Sequence, residues 1–257
     1  MGKGIQMGKV LFIIDPQIDF ISPHGALPVP NATRDMVNIA RFIQYHDIDE
    51  IFMTADSHGY YHISHPVFWK NINGENPPPF TVIKSEEVNV KWFPYLSDIS
   101  VKDYIESVEK RNGQHIIWPI HCCTNTIGAA FEPEIVKAVN AWQNKKANIG
   151  IIRQPYIIQK GNNDYYEQHS PFSFANGNYT NISYLEMISP TDKVYFTGEA
   201  YSHCLKATVI DAINLGLNPK NVIILTDCTS IINGFDMKDF EQEYSNKGVS
   251  FLSSSEL

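Results

Sequence analysis

Two groups of residues in this sequence could carry chemistry, and the first is a candidate metal site. Asp56 and His58 are two positions apart after an apolar run, so in extended backbone their side chains point to the same side and could share one ion. His121 follows a later apolar run and could add a third ligand. Two imidazoles and one carboxylate suit Zn²⁺, Fe²⁺ or Mn²⁺ and leave coordination positions open. Taken alone, an Asp-x-His sequence could equally cap a turn.

The second group contains a candidate nucleophile, Cys204. This residue lies between the predicted strand KVYF and a run whose apolar residues recur at helical spacing. The unpaired N–H groups at the beginning of a helix favour a thiolate. Asp15 could accept the thiol proton, and Lys160 could stabilise the thiolate. The alternatives are a cysteine that only packs and an Asp15–Lys160 ion pair that only joins two strands.

Two aromatic residues, Phe20 and Trp118, each follow the end of an apolar run. Their rings could sandwich a flat substrate ring between them. Core packing is the alternative, because it is the usual role of Phe and Trp side chains.

Short apolar runs that alternate with amphipathic segments must position these residues. The runs are rich in Ile and Val, as in strands buried on both faces of a parallel sheet, and cover residues 10–15, 50–56, 115–119, 149–161, 193–200 and 221–229. Candidate helices lie near residues 32–47, 97–111, 132–146, 181–189, 204–216 and 236–248. This alternation predicts an α/β fold with three layers: a mostly parallel, doubly wound sheet with helices on both faces.

The positions of the candidate residues along this pattern predict one shared active site. In doubly wound sheets, ligands bind beyond the carboxyl ends of the strands. The candidates all follow such ends, namely Asp15, Asp56, His58, His121, Lys160 and Cys204. Packing residues have no physical reason to collect at one edge of a sheet.

The rest of the chain is predicted to form one domain over residues 8–252, with loose termini at 1–7 and 253–257. Residues 66–114 depart from the alternation and contain the Pro-rich turn signal NGENPPPF. We interpret this segment as an insertion that forms a lid or a subunit contact.

The composition indicates which classes of partner are disfavoured and which cellular compartment is expected. The net charge is −8 and no basic run occurs, which disfavours nucleic acid and anionic membranes as partners. The four cysteines lack zinc-finger spacing, which is typical of free thiols in a reducing compartment. No apolar leader is recognisable and no apolar run is long enough to span a bilayer. We therefore expect a cytoplasmic protein.

Five blocks of the sequence, in chain order, resemble those of nicotinamidases in the isochorismatase-like cysteine hydrolase superfamily. The second block is similar to the pattern D-W-H-P-x-x-H-I-S-F, with Ser57 in place of Trp, and the third to W-P-x-H-C-x-x-x-T-x-G-A-x-F. The blocks are VLFIIDPQIDFISPHGALPVPNA, TADSHGYYHISH, WPIHCCTNTIGAAF, QKGNNDYYEQHSPF and GEAYSHCLKATVIDA.

The resemblance implies a role for each matching position. It implies a catalytic triad of Asp15, Lys160 and Cys204. It implies a divalent metal, usually zinc or iron, held by Asp56, His58 and His121. It also implies that Phe20 and Trp118 flank the substrate ring, that the N–H groups of Ala200 and Cys204 form an oxyanion hole, and that the Glu199–Ala200 peptide is cis.

The activity implied is hydrolysis of nicotinamide to nicotinate and ammonia through a thioester, in NAD salvage, by an enzyme that forms homo-oligomers. Glu199 and His203 depart from the Val and Tyr of the family, and we expect both at a substrate pocket made more polar by them. The alternatives are the same residues acting on another small amide or carbamoyl compound, and a non-catalytic metal-binding or redox-sensing protein. In the redox alternative the pair Cys122–Cys123 would supply the resolving thiol.

Overall fold

The computed structural model describes residues 7–95 and 101–257, and a sheet of six parallel strands lies at its centre. In chain order the strands are β1 (Lys9–Ile14), β2 (Glu50–Asp56), β3 (Tyr156–Lys160), β4 (Lys193–Gly198), β5 (Val222–Leu225) and β6 (Ser250–Leu252). Their order across the sheet is β6-β5-β4-β1-β2-β3. The chain first adds β2 and β3 on one side of β1 and then crosses to the other side, so the order reverses between β1 and β4. Ligands of open α/β sheets bind at such a reversal.

Helices cover both faces of the sheet, which confirms the predicted three-layer α/β fold. The longer helices are α1 (Ala32–Tyr45), α2 (Val101–Glu109), α3 (Pro133–Asn148), α4 (Lys206–Asn214) and α5 (Lys238–Lys247). Short helical turns occur at Ile18–Ile21, Pro66–Phe68, Ser85–Glu87, Ser183–Glu186, Tyr201–Leu205, Pro219–Asn221 and Ser254–Glu256. None of the described helices is long and apolar enough to cross a bilayer.

The alternation of side chains along the strands explains the two main hydrophobic clusters. In β1, Leu11 and Ile13 contact the cluster that also contains residues of α1 and α3. Their neighbours Phe12 and Ile14 contact the opposite cluster, with residues of α4 and α5. Because every second side chain of a strand points to the same face, a continuous apolar strand supplies both clusters.

The predicted strand 115–119 is wrong as a member of the central sheet. Only His115–Ile116 is extended, and it pairs antiparallel with Val82–Ile83. The run is nevertheless largely buried. Ile117 belongs to a third hydrophobic cluster, formed by residues between 63 and 117, and Trp118 belongs to the cluster that also contains residues of α1 and α3. A short apolar run predicts that its side chains are buried, but it does not predict which helix or strand packs against them. A second antiparallel pair, Trp69–Lys70 with Phe93–Pro94, belongs to the same region.

Other boundaries differ from the prediction at the ends of elements. The strand predicted over 149–161 covers only Tyr156–Lys160, and the helix predicted over 181–189 has four residues, Ser183–Glu186. Residues 1–6 lie outside the described residues. So do residues 97–100, the first part of the helix predicted over 97–111. Within the C-terminal segment 253–257, the Ser254 hydroxyl donates to Asp227 at 2.6 Å. Whether that segment is loose in solution stays a prediction.

Candidate active site

Three buried charges meet where the sheet order reverses. Asp15 directly follows β1, and Asp56 and Lys160 are the last residues of β2 and β3, where they are paired in register. The Nζ atom of Lys160 lies 2.9 Å from Oδ2 of Asp15 and 3.1 Å from Oδ1 of Asp56. All three side chains are buried. The lysine therefore links two carboxylates in the interior of the protein.

Cys204 completes this arrangement from the other side of the reversal. It lies in the π-helical turn Tyr201–Leu205, between β4 and α4, and is a free, buried thiol. Its Sγ atom is 3.6 Å from Nζ of Lys160, which also donates to the Gln168 carbonyl at 3.3 Å. The structure thus brings Asp15, Lys160 and Cys204 together, as the sequence predicts.

Burial decides the protonation of the nucleophile candidate. It raises the pKa of the Cys204 thiol well above its ordinary value, although the charge of Lys160 acts in the opposite direction. Burial thus favours the protonated thiol, and the charge of Lys160 favours the thiolate. Burial also raises the pKa of Asp15, with Lys160 again opposing the shift. A carboxylate with a raised pKa is a stronger base, so Asp15 is suited to accept the thiol proton.

The three candidate metal ligands lie close together beside Asp15, Lys160 and Cys204; they are Asp56, His58 and His121. Oδ2 of Asp56 lies 3.0 Å from Nε2 of His58 and 3.4 Å from Nε2 of His121. Donor atoms that share one ion at bond lengths of about 2.0–2.2 Å are roughly 3–3.5 Å apart, so these separations fit a divalent metal. Both imidazoles donate Nδ1–H to backbone carbonyls, at 3.0 Å to Gly161 and 2.8 Å to Pro119, which leaves Nε2 as the ligand atom.

The local backbone explains how these ligands are held. Gly161 has φ of +70°, and a Cβ atom there would lie 2.6 Å from the Asp56 carboxylate and from the His58 ring. Only glycine therefore allows the chain after β3 to pass so close to the ligands. His121 is supplied by the loop after His115–Ile116 and not by a sheet strand, which corrects the expected origin of the third ligand.

One small cavity reaches Cys204 and two of the candidate metal ligands, Asp56 and His121. Its lining includes Phe20 and Trp118, together with Leu27, Val29, Asp56, His121, Glu167, His169, Ala200, His203, Cys204 and Ile232. A larger cleft of about 580 Å³ lies between α1 and α3, but the charged residues that line it are exposed. Catalytic groups are usually shielded from water, so the small cavity is the candidate site.

The expected oxyanion donors lie at the cavity wall. The Glu199–Ala200 peptide is cis, as the resemblance implies. The flanking N–H groups are engaged, since Glu199 donates to Ile14 and Tyr201 to Ser230, each at 2.8 Å. Among the residues that the structure describes, no hydrogen bond is formed by the N–H of Ala200. That N–H is therefore available to a substrate oxygen.

Glu199 is placed differently from the prediction. It does not line the cavity; its buried carboxylate accepts from the Ser230 N–H at 3.1 Å and lies beside Asp35 of α1. Burial, followed by the charge of Asp35, raises the pKa of Glu199 well above its usual range. The sequence could not reveal this position, because Asp35 and Ser230 are distant from Glu199 along the chain. His203 does line the cavity, and burial lowers its pKa to about 3.

Sequence reasoning missed two polar residues of the cavity, Glu167 and His169. The Glu167 carboxylate accepts from the Ser64 hydroxyl and from the Gln168 N–H. Although burial acts to raise the pKa of Glu167, the charges of neighbouring histidines, His169 foremost, hold it below the usual range. Both residues belong to the block QKGNNDYYEQHSPF, so that block contained the signal.

Comparisons with known proteins give the following similarities. No family model matches the chain. The chain is 32% identical to the nicotinamidase of Saccharomyces cerevisiae over 212 residues, which cover 81% of this chain and 82% of the relative. It is 26% identical to the nicotinamidase of Acinetobacter baylyi over 246 residues, which cover 95% and 92% of the two chains.

Solved structures show the same architecture. The yeast nicotinamidase superposes with a TM-score of 0.67 at 25% identity, covering 95% of this chain and 99% of that chain. The pyrazinamidase of Pyrococcus horikoshii in complex with zinc superposes with a TM-score of 0.58 at 22% identity, covering 95% and 98%. At the latter identity the likeness establishes the fold alone.

Proposed function

The chain belongs to the nicotinamidase family, and we propose that it hydrolyses nicotinamide to nicotinate and ammonia. One observation carries the proposal: Cys204, which contacts Lys160 of the Asp15–Lys160 pair, lines a small cavity together with Phe20 and Trp118. The distances of 2.9 Å from Lys160 to Asp15 and 3.6 Å from Lys160 to Cys204 support the assignment of a base, a cation and a thiol to one site.

In the first half-reaction Cys204 is the nucleophile. Asp15 accepts the thiol proton while sulfur attacks the amide carbon, and the carbonyl electrons move onto oxygen. The N–H groups of Ala200 and Cys204 donate to that oxygen, and one such donor typically contributes about 3–4 kcal/mol to the transition state. The C–N bond then breaks, and ammonia leaves with the proton held by Asp15. Lys160 keeps the charge of the buried site balanced at each stage.

The second half-reaction restores the enzyme. Asp15, again unprotonated, accepts a proton from water while the water oxygen attacks the thioester carbon. The C–S bond breaks, the proton held by Asp15 passes to the sulfur of Cys204, and the product leaves as nicotinic acid, which releases its proton to solvent and becomes nicotinate.

We further propose that Asp56, His58 and His121 hold a divalent metal. We favour zinc, and iron and manganese are alternatives that the same donors accept. When bound, the metal would supply a Lewis acid that fixes the ring nitrogen of the substrate. The separations of 3.0 and 3.4 Å between the donor atoms support the assignment.

A second candidate substrate is another small amide with a polar substituent. Glu167 and His169 favour it, since they add a carboxylate and an imidazole to the cavity wall. The assignment of Phe20 and Trp118 as flanks of a flat ring favours nicotinamide.

Ammonia release from a panel of small amides tests the proposal, with nicotinamide and pyrazinamide as the first substrates. We expect turnover of nicotinamide that Cys204→Ala abolishes and that Cys123→Ala, a matched change at a half-buried cysteine, retains. Turnover of another amide without turnover of nicotinamide would support the second candidate. Full turnover by Cys204→Ala would remove the thiol from the mechanism.

A further inference from the structure

The expected oxyanion donor Ala200 lies in a segment that a neighbouring loop supports. We call residues 198–202 the donor segment and residues 228–232, in the loop after β5, the support loop. Backbone hydrogen bonds join the two on both sides of Ala200. They run from the Gly198 N–H to the Cys228 carbonyl, at 2.9 Å, and from the Tyr201 N–H to the Ser230 carbonyl, at 2.8 Å. The position of the Ala200 N–H therefore depends on the position of the support loop.

The side chain of Glu199 adds a further bond between the donor segment and the support loop. Its Oε2 atom accepts from the Ser230 N–H at 3.1 Å. The Ser230 hydroxyl in turn donates to Oδ2 of Asp35, a residue of α1. Both carboxyl groups are completely buried. One serine thus joins two buried carboxyl groups, and α1 holds the support loop against the donor segment through them.

These two carboxyl groups need a proton between them. Two carboxylates that share a buried site cannot both ionise without a large cost in free energy. Oε1 of Glu199 is buried and, within the described part of the chain, accepts no hydrogen bond. A proton on Glu199 removes this defect, because the two side chains then form a hydrogen bond with each other. Burial, followed by the charge of Asp35, raises the pKa of Glu199 and so favours the protonated form.

The charged and titratable groups around the pair do not favour a second ionisation. Arg34 lies 3.4 Å from Oδ1 of Asp35, but its side chain is 64% exposed, so water and salt screen its charge. Asp15, at the end of the neighbouring strand β1, is paired with Lys160 at 2.9 Å. In the support loop, burial raises the pKa of the Cys228 thiol. One exposed arginine can balance one carboxylate, so a second negative charge would be repelled by the first.

We infer that Glu199 and Asp35 share one proton and that this pair holds the Ala200 N–H in position as an oxyanion donor. The inference rests on the proposed function, in which Ala200 donates to the substrate oxygen. Glu199 does not line the cavity and acts through Ser230 and the backbone, so it is a positioning residue. Loss of the shared proton would place two repelling charges beside Ser230 and displace the donor segment.

Two substitutions of Glu199 separate its hydrogen bonds from its charge. Gln can donate to Asp35 and accept from Ser230, so Glu199→Gln should retain the wild-type kcat near neutral pH. Glu199→Leu should lower kcat by about tenfold or more, since loss of one oxyanion donor typically costs about 10²–10³-fold. KM should change little, because the donor acts on charge that develops in the transition state. Steady-state ammonia release from nicotinamide measures both constants.

The pH profile of kcat provides a readout that a merely structural role would not change. In the wild type kcat should fall as pH rises towards the raised pKa of Glu199, and in Glu199→Gln this fall should be absent. Asp15, Lys160 and Cys204 are common to both proteins, so the ratio of the two profiles isolates the pair. Asp211→Leu is the matched control, because this buried carboxylate accepts from the Ser173 hydroxyl at 2.5 Å, and it should retain the wild-type kcat.

The possible failures are distinguishable. Circular dichroism and thermal melting verify that each variant folds, and the pH comparison with Glu199→Gln decides the matter alone if Glu199→Leu does not fold. A folded Glu199→Leu protein with the wild-type kcat, or identical pH profiles of the wild type and Glu199→Gln, would overturn the inference and leave the proposed function intact. A wild-type protein that hydrolyses no amide of the panel would overturn both.

Discussion

The Nζ atom of Lys160 lies 2.9 Å from Oδ2 of Asp15, and both residues are inaccessible to solvent. Burial alone would lower the pKa of Lys160, but the charges of Asp15 and Asp56 outweigh it and raise that pKa well above its ordinary value. The lysine thus remains charged in the interior. A buried pair of this kind is costly to assemble and more costly to break, which points to a role in catalysis.

Replacement of Lys160 by Met should lower both stability and activity. The change leaves two buried carboxylates without their cation, and the loss of one partner of a buried pair typically costs about 3–5 kcal/mol. Denaturant unfolding measures this loss, and ammonia release measures activity. Lys146→Met is the control, since Lys146 is also buried but pairs with the more exposed Asp47 and Asp49. A stable, active Lys160→Met protein would contradict the role given to this lysine.

Replacement of Asp15 by Asn should abolish proton transfer and preserve the shape of the side chain. Because a positioned general base typically contributes about 10²–10⁴-fold, kcat should fall by roughly that factor. The Asn side chain can still contact the Thr54 hydroxyl, which lies 2.5 Å from Oδ1 of Asp15. Steady-state kinetics on nicotinamide measures the effect. A kcat near that of the wild type would show that another group takes the thiol proton.

Glu199 makes a pH-dependent contribution to stability. Its pKa is raised in the folded protein, so above the unfolded value of 4.5 the folded state binds a proton that the unfolded state has released. Its contribution is therefore complete below that value and is lost as pH rises towards the folded pKa, by about 1.4 kcal/mol per pH unit. Glu199→Gln should remove this pH-dependent part of the free energy of unfolding.

Urea unfolding of both proteins at several pH values from 4 to about 8 measures the difference. We expect Glu199→Gln to gain stability over the wild type as pH rises. A constant difference across that range would contradict a protonated Glu199.

Replacement of His121 by Ala should reduce metal content. The substitution removes the imidazole whose Nε2 lies 3.4 Å from the Asp56 carboxylate. Elemental analysis of the purified protein should show loss of bound metal. His115→Ala is the control, because this buried histidine bonds to the Ile63 carbonyl at 3.2 Å, outside the site. Equal metal content in both variants would exclude His121 as a ligand.

The sequence predicted those parts of the fold and site that depend on local pattern. Continuous apolar runs identified β1, β2 and β4, and their carboxyl ends indicated that Asp15, Asp56 and Cys204 lie at one edge of the sheet. The sequence did not predict features for which a residue's partner is distant along the chain.

Two cases illustrate that limit. The half-buried edge strand β6 lacks the continuous apolar pattern, and its partner β5 decides its structure. Glu199 lies beside Asp35, a residue of α1 that is far from Glu199 in the sequence.

The central claim is that Cys204 forms a covalent acyl intermediate, and intact-protein mass spectrometry of acid-quenched reactions tests it most directly. During turnover of nicotinamide we expect a nicotinoyl adduct that peptide mapping places on Cys204 and that disappears when substrate is exhausted. Rapid turnover with no adduct at any quench time, or an adduct on Cys122 or Cys123 instead, would contradict the account.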